Sequence, residues 1–227
     1  GREGAPDRTA VFADSQFRVK GRRKRSWQSP PARNLYLSLL IRPPLAAEAL
    51  PSFPLAAGVA VARAILPHVG KDSVRLKWPN DVLLGGRKAA GILAEVRTKR
   101  KAVDFLVVGI GINVNMEKDD FDPSIRDIAT SLREATGRSV SRLGLAVDLL
   151  QTFEECYARF LQEGFRSLRE EWLNSTDMVG QRVRVSLAGD VCCGVVRTIG
   201  WDGALVLWND RGELQRMTIG DATILKD

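Results

Sequence analysis

The 227-residue chain can bury one sizeable core and carry a second, small domain, and its 44% hydrophobic and 27% charged residues are typical of a soluble globular protein. No apolar run approaches the ~20 residues that cross a bilayer, and no signal peptide opens the chain. The three cysteines include no Cys-x-x-Cys pair, which excludes a disulfide framework and fits a reducing cytoplasm. The formal charge of +7 is local, because residues 18–25 hold six cations and no acid, which suits a phosphate-bearing ligand at least as well as a nucleic-acid track.

The first half of the chain predicts strands around one helix. Thr9–Ala13 is typical of a short strand, and the almost continuously apolar Leu35–Ile41 predicts a strand buried on both faces. Apolar residues recur at helical spacing from Leu55 to Leu66, so we expect a helix that ends at Pro67. Further strands are expected at Val74–Lys77, from Val82, at Gly91–Val96 and at Phe105–Val114, before an acidic loop at Met116–Asp127.

One lysine stands at the end of the strand Val74–Lys77. Pro79 keeps Trp78 extended and ends the strand, and Asn80-Asp81 has the chemistry of a turn. A lysine held at a strand end above a core is well placed to receive an anionic ligand. A solvated lysine on a surface strand fits the same spacing.

The second half of the chain predicts two helices and then a small β-barrel. A long amphipathic helix is expected from Leu143 to Leu161, and a shorter one around Trp172. After Thr176, short alternating strands are separated by glycine-bearing turns, as in a barrel of roughly 50 residues. The expected strands are Arg182–Ser186, Val195–Ile199, Ala204–Leu207 and Gln215–Ile219. We therefore predict an α/β (α+β) domain at residues 1–176, with a mixed sheet flanked by helices, and an SH3-like β-barrel at residues 177–227.

Several common active-site patterns are missing from the sequence. Gly109-Ile-Gly111 has valine where a dinucleotide-binding motif needs its third glycine, and Gly70-Lys71 lacks the rest of a P-loop. The single histidine, His68, has no accompanying nucleophile and fits a structural role. One histidine and no Cys-x-x-Cys pair exclude a Cys/His zinc site, and the acids of the 116–127 loop fit a solvated loop. We predict no metal-ligating residue.

Three segments resemble the biotin protein ligases. Lys77-Trp-Pro-Asn-Asp81, followed by Gly86-Arg-Lys-Ala-Ala-Gly-Ile-Leu93, is similar to the family's KWPND…GRK-x-AGIL signature, and Val107-Val-Gly-Ile-Gly-Ile-Asn113 is similar to its VVGIGIN strand. The family's ligand loop, usually written GRGRRGR-x-W-x-SP…NLY, is resembled by Ala13-Asp-Ser-Gln16, Lys20-Gly-Arg-Arg-Lys-Arg25, Trp27, Ser29-Pro30 and Asn34-Leu-Tyr36. Residues 16–27 are here called the ligand loop. The likeness covers nearly the whole chain in the right order, and the terminal barrel resembles the small C-terminal domain that many of these enzymes carry.

This resemblance implies a reaction in two steps. Biotin carboxylate attacks the α-phosphate of ATP, bound with Mg²⁺, to give biotinyl-5′-AMP and pyrophosphate. A lysine of a biotin carboxyl carrier protein then attacks the mixed anhydride. Because two anions must meet, the site needs cations that stabilise the growing negative charge. The family also suggests a homodimer. From the sequence of this chain we expect no membrane partner and no DNA partner.

Carried over by position, the family's pattern implies roles for particular residues of this chain. Lys77 and Arg22 would act as catalytic cations. The implied biotin contacts are Gln16, Lys20, Gly21, Arg22, Lys77, Gly91, Gly109 and Gly111. The implied nucleotide contacts are Arg22, Arg25, Trp27, Lys77 and Asn113, with Trp27 against adenine and Asn113 facing the nucleotide or its Mg²⁺.

This chain departs from the family in two places. Val19-Lys20 stands where the family has Gly-Arg, and Lys24 replaces another glycine, so we expect a stiffer, more cationic loop without a bidentate donor at Lys20. The family also has an upstream strand and helix with a Ser-Thr-Asn-type motif in the biotin pocket, and no such motif precedes Gln16. We therefore expect a truncated chain or an incomplete pocket, and no helix-turn-helix repressor domain.

Three alternatives stay open at this point. The first is a lipoate or octanoyl transferase of the same fold, and the second is a non-catalytic fragment that keeps the fold. The third is a nucleic-acid-binding module that uses residues 18–25 with Trp27 as a stacking platform. Such a module would bind with an affinity that falls steeply with salt and is indifferent to biotin.

Overall fold

The computed structural model describes residues 1–17, 21–22, 27–70, 73–99, 102–187 and 190–225. Two sheets are present, a six-stranded first sheet in the order β1-β2-β6-β5-β4-β3 and a five-stranded second sheet in the order β10-β9-β8-β7-β11. The strands of the first sheet are β1 Thr9–Ala13, β2 Leu35–Ile41, β3 Val74–Lys77, β4 Asp81–Leu84, β5 Arg87–Lys99 and β6 Ala102–Ile112. The helices are α1 Phe53–Val69, α2 Leu132–Thr136, α3 Arg142–Glu163 and α4 Arg169–Asn174.

The first sheet is antiparallel at every pair of neighbouring strands. The predicted sheet with packed helices is confirmed, but its predicted mixed character is wrong. Tight connections join β3, β4, β5 and β6 in succession, and strands joined by such short turns must run antiparallel. Within the described residues, parallel pairing is confined to the isolated bridge between Lys88 and Ala129.

Helix α1 covers one face of the first sheet. In β3, Val74 and Leu76 are buried while Arg75 and Lys77 are partly exposed, so the predicted alternation is confirmed and the apolar side faces the core. α3 packs on α1, where the Phe53 ring meets the Phe160 ring edge to face at 5.1 Å. The opposite face of the sheet is left for the site.

The end of α1 differs from the prediction. Pro67 lies inside the helix, which continues to Val69 and ends at Gly70. A proline in the last turn removes one donor without ending the helix, whereas Gly70 has a φ of 87°, and its N–H bonds to Leu66 O.

One segment, Ala47–Val69, is long and apolar enough to cross a membrane, with a mean hydropathy of 1.6, so the expectation that no such segment exists was wrong on length and composition. However, 72% of its most apolar window is buried inside the protein. A helix that is apolar nearly all round and buried in this way is a core helix.

The second sheet is antiparallel and follows α4. Its strands are β7 Arg182–Leu187, β8 Asp190–Ile199, β9 Leu205–Asn209, β10 Leu214–Met217 and β11 Asp221–Ile224. The four predicted strands are present with shifted bounds, but β11 was missed. It is an edge strand that pairs with β7, where Ala222 lies opposite Val185.

Trp78 joins the two sheets. It is 2% exposed, and its Nε1 donates to Gly203 O of the second sheet at 3.1 Å. Next to it, Leu76 N donates to Ser175 O at 2.6 Å. A single buried apolar cluster runs through both sheets, so the second sheet is held firmly against the turn that follows β3.

Candidate functional site

A cavity of about 990 Å³ lies on the face of the first sheet that α1 does not cover. Pockets for small molecules commonly measure roughly 300–1,000 Å³. The structure places nine of the implicated residues on its wall: Gln16, Gly21, Arg22, Trp27, Lys77, Gly91, Gly109, Gly111 and Asn113. The other two, Lys20 and Arg25, lie outside the described residues.

A row of laterally paired residues crosses the sheet under the cavity. Lys77 of β3 lies opposite Asp81 of β4, Asp81 opposite Gly91 of β5, and Gly91 opposite Gly111 of β6. The row continues to Tyr36 of β2. Residues paired across neighbouring strands point to the same face. The register therefore places a cation, a carboxylate and two residues without a Cβ side by side on the cavity side of the sheet.

The two glycines of this row are where the Trp27 indole touches the sheet. A Cβ on Gly91 would lie 3.1 Å from Trp27 Cζ3, and a Cβ on Gly111 would lie 3.0 Å from Cε2. A Cβ on Gly109 would come no closer than 3.7 Å to another atom, Leu93 O. Two of the four glycines that were assigned to biotin, Gly91 and Gly111, therefore support Trp27, and Gly109 faces cavity space.

The Trp27 indole carries an N–H that has no acceptor among the described residues. Its Nε1 is buried and forms no hydrogen bond with any part of the chain that the structure describes. The Lys88 ammonium lies 5.5 Å from the ring centre, within the range of a cation–π interaction. Because a buried indole N–H normally has a partner, this N–H is a donor for an acceptor that enters the cavity.

Lys77 and Lys88 supply two ammonium groups to the cavity wall. Lys77 forms no hydrogen bond or ion pair with the described residues, which leaves its charge for a ligand. Lys88 Nζ lies 2.5 Å from Asp81 Oδ1. The sequence analysis gave Lys88 no role, although it lies within the quoted Gly86–Leu93 segment.

A β-bulge ahead of the predicted strand Gly91–Val96 determines the direction of Lys88. Simple alternation places Lys88 with Ala90 on the core side of β5. Between β4 and β5, however, Val82 lies opposite Ala90 and Leu83 opposite Lys88, so Ala89 is an extra residue. Such a bulge turns the preceding side chain to the other face. The only sequence signal was the Gly85-Gly86 turn beside two small residues, which does not predict a bulge.

Arg22 of the ligand loop is held by two other segments. Its Nη1 donates to Asn80 Oδ1 at 3.1 Å and lies 3.2 Å from Asp221 Oδ1, and its Nη2 donates to Gly220 O at 3.1 Å. Asn80 is itself fixed, because its Nδ2 donates to Ile92 O at 2.7 Å. The guanidinium therefore reaches the cavity wall from a defined direction.

Gln16 and Asn113 also line the cavity. Gln16 Oε1 accepts a hydrogen bond from Ser29 Oγ at 3.3 Å. Asn113 is 5% exposed, and its Nδ2 donates to Thr130 O at 3.0 Å. Within the described ranges, no group of three or more His, Cys, Asp or Glu residues could by itself hold a metal ion.

Tyr36 closes the row as a neutral group. Its hydroxyl donates to Pro30 O at 3.2 Å and accepts from Asn34 Nδ2 at 3.0 Å. Burial raises the pKa of the Tyr36 phenol above its usual value. Tyr36 therefore adds no charge to this wall.

Known proteins resemble the chain in sequence and in fold. Residues 2–113 match the biotin/lipoate A/B protein ligase family. The bifunctional ligase/repressor BirA of Bacillus spizizenii is 35% identical over 208 residues, which cover 92% of this chain and 64% of that protein. The biotin--[acetyl-CoA-carboxylase] ligase of Mycobacterium tuberculosis is also 35% identical, over 88% of this chain and 73% of its own length. The chain thus spans about 64% of the first of these relatives.

A solved structure shows the same fold over nearly the whole chain. The biotin protein ligase from Aquifex aeolicus, in complex with biotin and ATP, superposes with a TM-score of 0.83 at 27% sequence identity. The match covers 99% of this chain and 91% of that one.

Proposed function

The chain belongs to the biotin protein ligases of the biotin/lipoate A/B protein ligase family, and from this membership and the geometry of the cavity we propose that it activates biotin with ATP and transfers it to a lysine of a biotin carboxyl carrier protein. The observation that carries the proposal is the convergence of Lys77, Lys88 and Arg22 on one cavity above a glycine floor. Three cations from three separate segments suit a reaction that brings a carboxylate to a polyphosphate.

In the first step, a biotin carboxylate oxygen forms a bond to the α-phosphorus of Mg-ATP, and the bond from that phosphorus to pyrophosphate breaks. Negative charge spreads over the phosphoryl oxygens in the transition state. Lys77 is placed to stabilise that charge, since no ion pair with the described residues competes for it. Arg22 offers a planar donor fork to the same oxygens.

Lys88 has a different environment and a different role. Its ammonium is paired with Asp81 and lies over the Trp27 ring. A paired cation of this kind holds the wall in place and keeps a positive potential beside the glycine floor. We assign Lys88 to ligand binding next to Trp27.

Trp27 supplies a flat surface and a donor. Its ring lies against Gly91 and Gly111, which fix its depth above the sheet. A purine stacked on the exposed side of such a ring is stabilised by about 1–3 kcal/mol. Adenine would thereby lie beside the phosphates that Lys77 and Arg22 bind.

In the second step, the amine of the acceptor lysine attacks the acyl carbon of biotinyl-5′-AMP, an amide bond forms, and AMP leaves. Residues 1–176 would form the catalytic domain and residues 177–227 an SH3-like barrel, in a cytoplasmic enzyme. The homodimer suggested by the family also belongs to this proposal.

Biotin-dependent exchange of pyrophosphate into ATP tests the proposal. We expect exchange with biotin and Mg-ATP, none without biotin, and biotin on the lysine of an added carrier protein by mass spectrometry. Exchange supported by lipoate or octanoate in place of biotin would favour a transferase for those acids. A folded protein without exchange would favour the non-catalytic alternative.

A further inference from the structure

The last strand of the second sheet reaches into the cavity and contacts the ligand loop. Asp221 Oδ1 lies 3.2 Å from Arg22 Nη1, and Gly220 O accepts from Arg22 Nη2, across 198 positions of sequence. The side chains of Arg22 and Asp221 are 24% and 16% exposed. Partly buried charged pairs of this kind hold their geometry better than exposed ones.

Asp221 is itself fixed in place. It opens β11 and lies opposite Ser186 of β7 in the strand register. The preceding Gly220 has a φ of 145°, and a Cβ there would lie 2.6 Å from Val185 Cγ1, so the turn into β11 is packed tightly against β7. The carboxylate therefore comes from a rigid element.

The charges on the cavity wall sort into pairs. Asp81 is paired with Lys88, Asp221 with Arg22, and Lys77 has no partner among the described residues. The ligand loop carries six cations between residues 18 and 25, which repel one another. A carboxylate on a rigid strand offsets part of that repulsion at Arg22, which lines the cavity.

We propose that Asp221 is a positioning residue, which holds the Arg22 guanidinium at the cavity wall so that the second sheet sets the direction of this cation. The contact between Asp221 and Arg22, here called the tether, belongs to the free protein and does not depend on the proposed function. Its consequence for adenylation rests on the proposed function. In that reaction a cation displaced by even ~1 Å from its productive place can cost up to about 10²-fold in rate.

Trypsin cleavage after Arg22 tests the tether and does not require the protein to be enzymatically active. A guanidinium bound to Asp221 must leave it to enter the protease. Asp221→Ala should therefore release the peptide ending at Arg22 about three to ten times faster than wild type, as for the loss of one ordinary hydrogen bond, since Asn80 and Gly220 still hold Arg22. Asp221→Asn keeps an acceptor oxygen, so its rate of cleavage after Arg22 should lie between those of wild type and Asp221→Ala.

Asp210→Ala is the matched control. Asp210 also forms an ion pair with an arginine of the second sheet, Arg182, at 2.7 Å, and it does not line the cavity. Its variant should be cleaved after Arg22 at the wild-type rate. Equal cleavage of wild type, Asp221→Ala and Asp210→Ala, with melting temperatures that confirm folding, would overturn the tether.

Pyrophosphate exchange tests the consequence. We expect Asp221→Ala to stay folded and to lower kcat/KM for ATP about tenfold, and Asp221→Glu to recover part of the loss. Faster cleavage after Arg22 with unchanged exchange would overturn the positioning role. Absence of exchange in the wild type would count against the proposed function, and the protease result would still decide the tether.

Discussion

The Trp27 indole rests directly on Gly111, where a Cβ would lie 3.0 Å from Trp27 Cε2. Contacts this close require that one of the two groups moves. Gly91, opposite Gly111 in the strand register, meets the other edge of the same ring. Gly111 of the VVGIGIN segment and Gly91 of the AGIL segment are therefore needed, in the free protein, to make room for the Trp27 side chain of the ligand loop.

Gly111→Ala is expected to displace Trp27 and leave the fold intact. Overpacking by one methyl group costs about 1–3 kcal/mol, which the ring can relieve by tilting away from the sheet. We expect the fluorescence emission of Trp27 to change, measured as the difference between each protein and its Trp27→Phe variant. We also expect the rate of pyrophosphate exchange to fall by about tenfold or more, because the ring no longer presents the same surface to adenine.

Gly109→Ala is the matched variant on the same strand and the same face. Its Cβ would stand 3.7 Å or more from its neighbours and would point into the cavity. We expect it to leave the emission of Trp27 unchanged and to weaken biotin binding measured by calorimetry. If both substitutions alter the emission equally, the indole does not rest on Gly111.

Lys77→Ala is expected to lose adenylation and keep its stability. Removal of a single charge that stabilises a transition state typically lowers kcat by about 10²–10³. The melting temperature should not fall, since Lys77 has no partner within the described residues that would be left unpaired. Lys99→Ala, on the exposed end of β5 and away from the cavity, should exchange at the wild-type rate. Near-normal exchange by Lys77→Ala would refute the electrostatic role.

Lys88 combines a structural and a binding role, and a double substitution separates them. Lys88→Met leaves the Asp81 carboxylate, which is 20% exposed, without its partner at 2.5 Å. Loss of a partner in this setting costs about 1–3 kcal/mol. We expect Lys88→Met to lower both the free energy of unfolding and exchange.

Adding Asp81→Asn removes the unpaired charge. The double variant should therefore regain much of the stability in urea titrations and none of the exchange. Recovery of exchange together with stability would show that Lys88 acts only through folding.

Glu171 is expected to make the stability of the helical layer depend on pH. It accepts from Arg63 Nε and Nη2 at 2.5 and 2.6 Å and from Arg159 Nη1 at 3.3 Å, which joins α1, α3 and α4. Burial alone would raise the pKa of Glu171, but the bonds and charges of the two arginines outweigh it and lower that pKa below the usual 4.5. Because the folded pKa is the lower one, the stabilisation is present above about pH 4.5 and is lost as the pH falls through the folded pKa.

Melting temperatures of wild type and Glu171→Gln check this. At pH 7 the variant should melt lower by about 2–4 °C for each kcal/mol lost, and the gap should close towards pH 3. Glu155→Gln serves as the control, since Glu155 contacts the same Arg63 but is 65% exposed. A gap that is constant with pH would contradict the assignment.

Local periodicity was enough to predict most elements. β1 and β2 were predicted with their observed bounds, and α3 lies within two residues of its prediction, because burial repeats along a strand or a helix within a few residues. The same local pattern located Lys77 at a strand end facing an open surface. The three motifs identified the family, and the relatives confirm it.

Non-local features were not predictable in this way. Lys88 reaches the cavity through a bulge in β5, and it lies ahead of the predicted strand Gly91–Val96, so the sequence pattern assigned it to neither face. The antiparallel pairing of β3 to β6, by contrast, follows from short connections that the predicted strand bounds already contained, although a mixed sheet was predicted. β11 was missed because it is a short edge strand whose pairing with β7 is set across the second sheet.

The sequence by itself thus determined the family, the periodic elements and the cations and glycines from which the site is built. Only the tertiary structure decided how they are combined. Strand register aligned Lys77 with Gly91 and Gly111, close packing placed Trp27 on those glycines, and the fold brought Asp221 to Arg22 across 198 positions. These contacts depend on register and on packing between distant segments, and neither leaves a local pattern in the sequence.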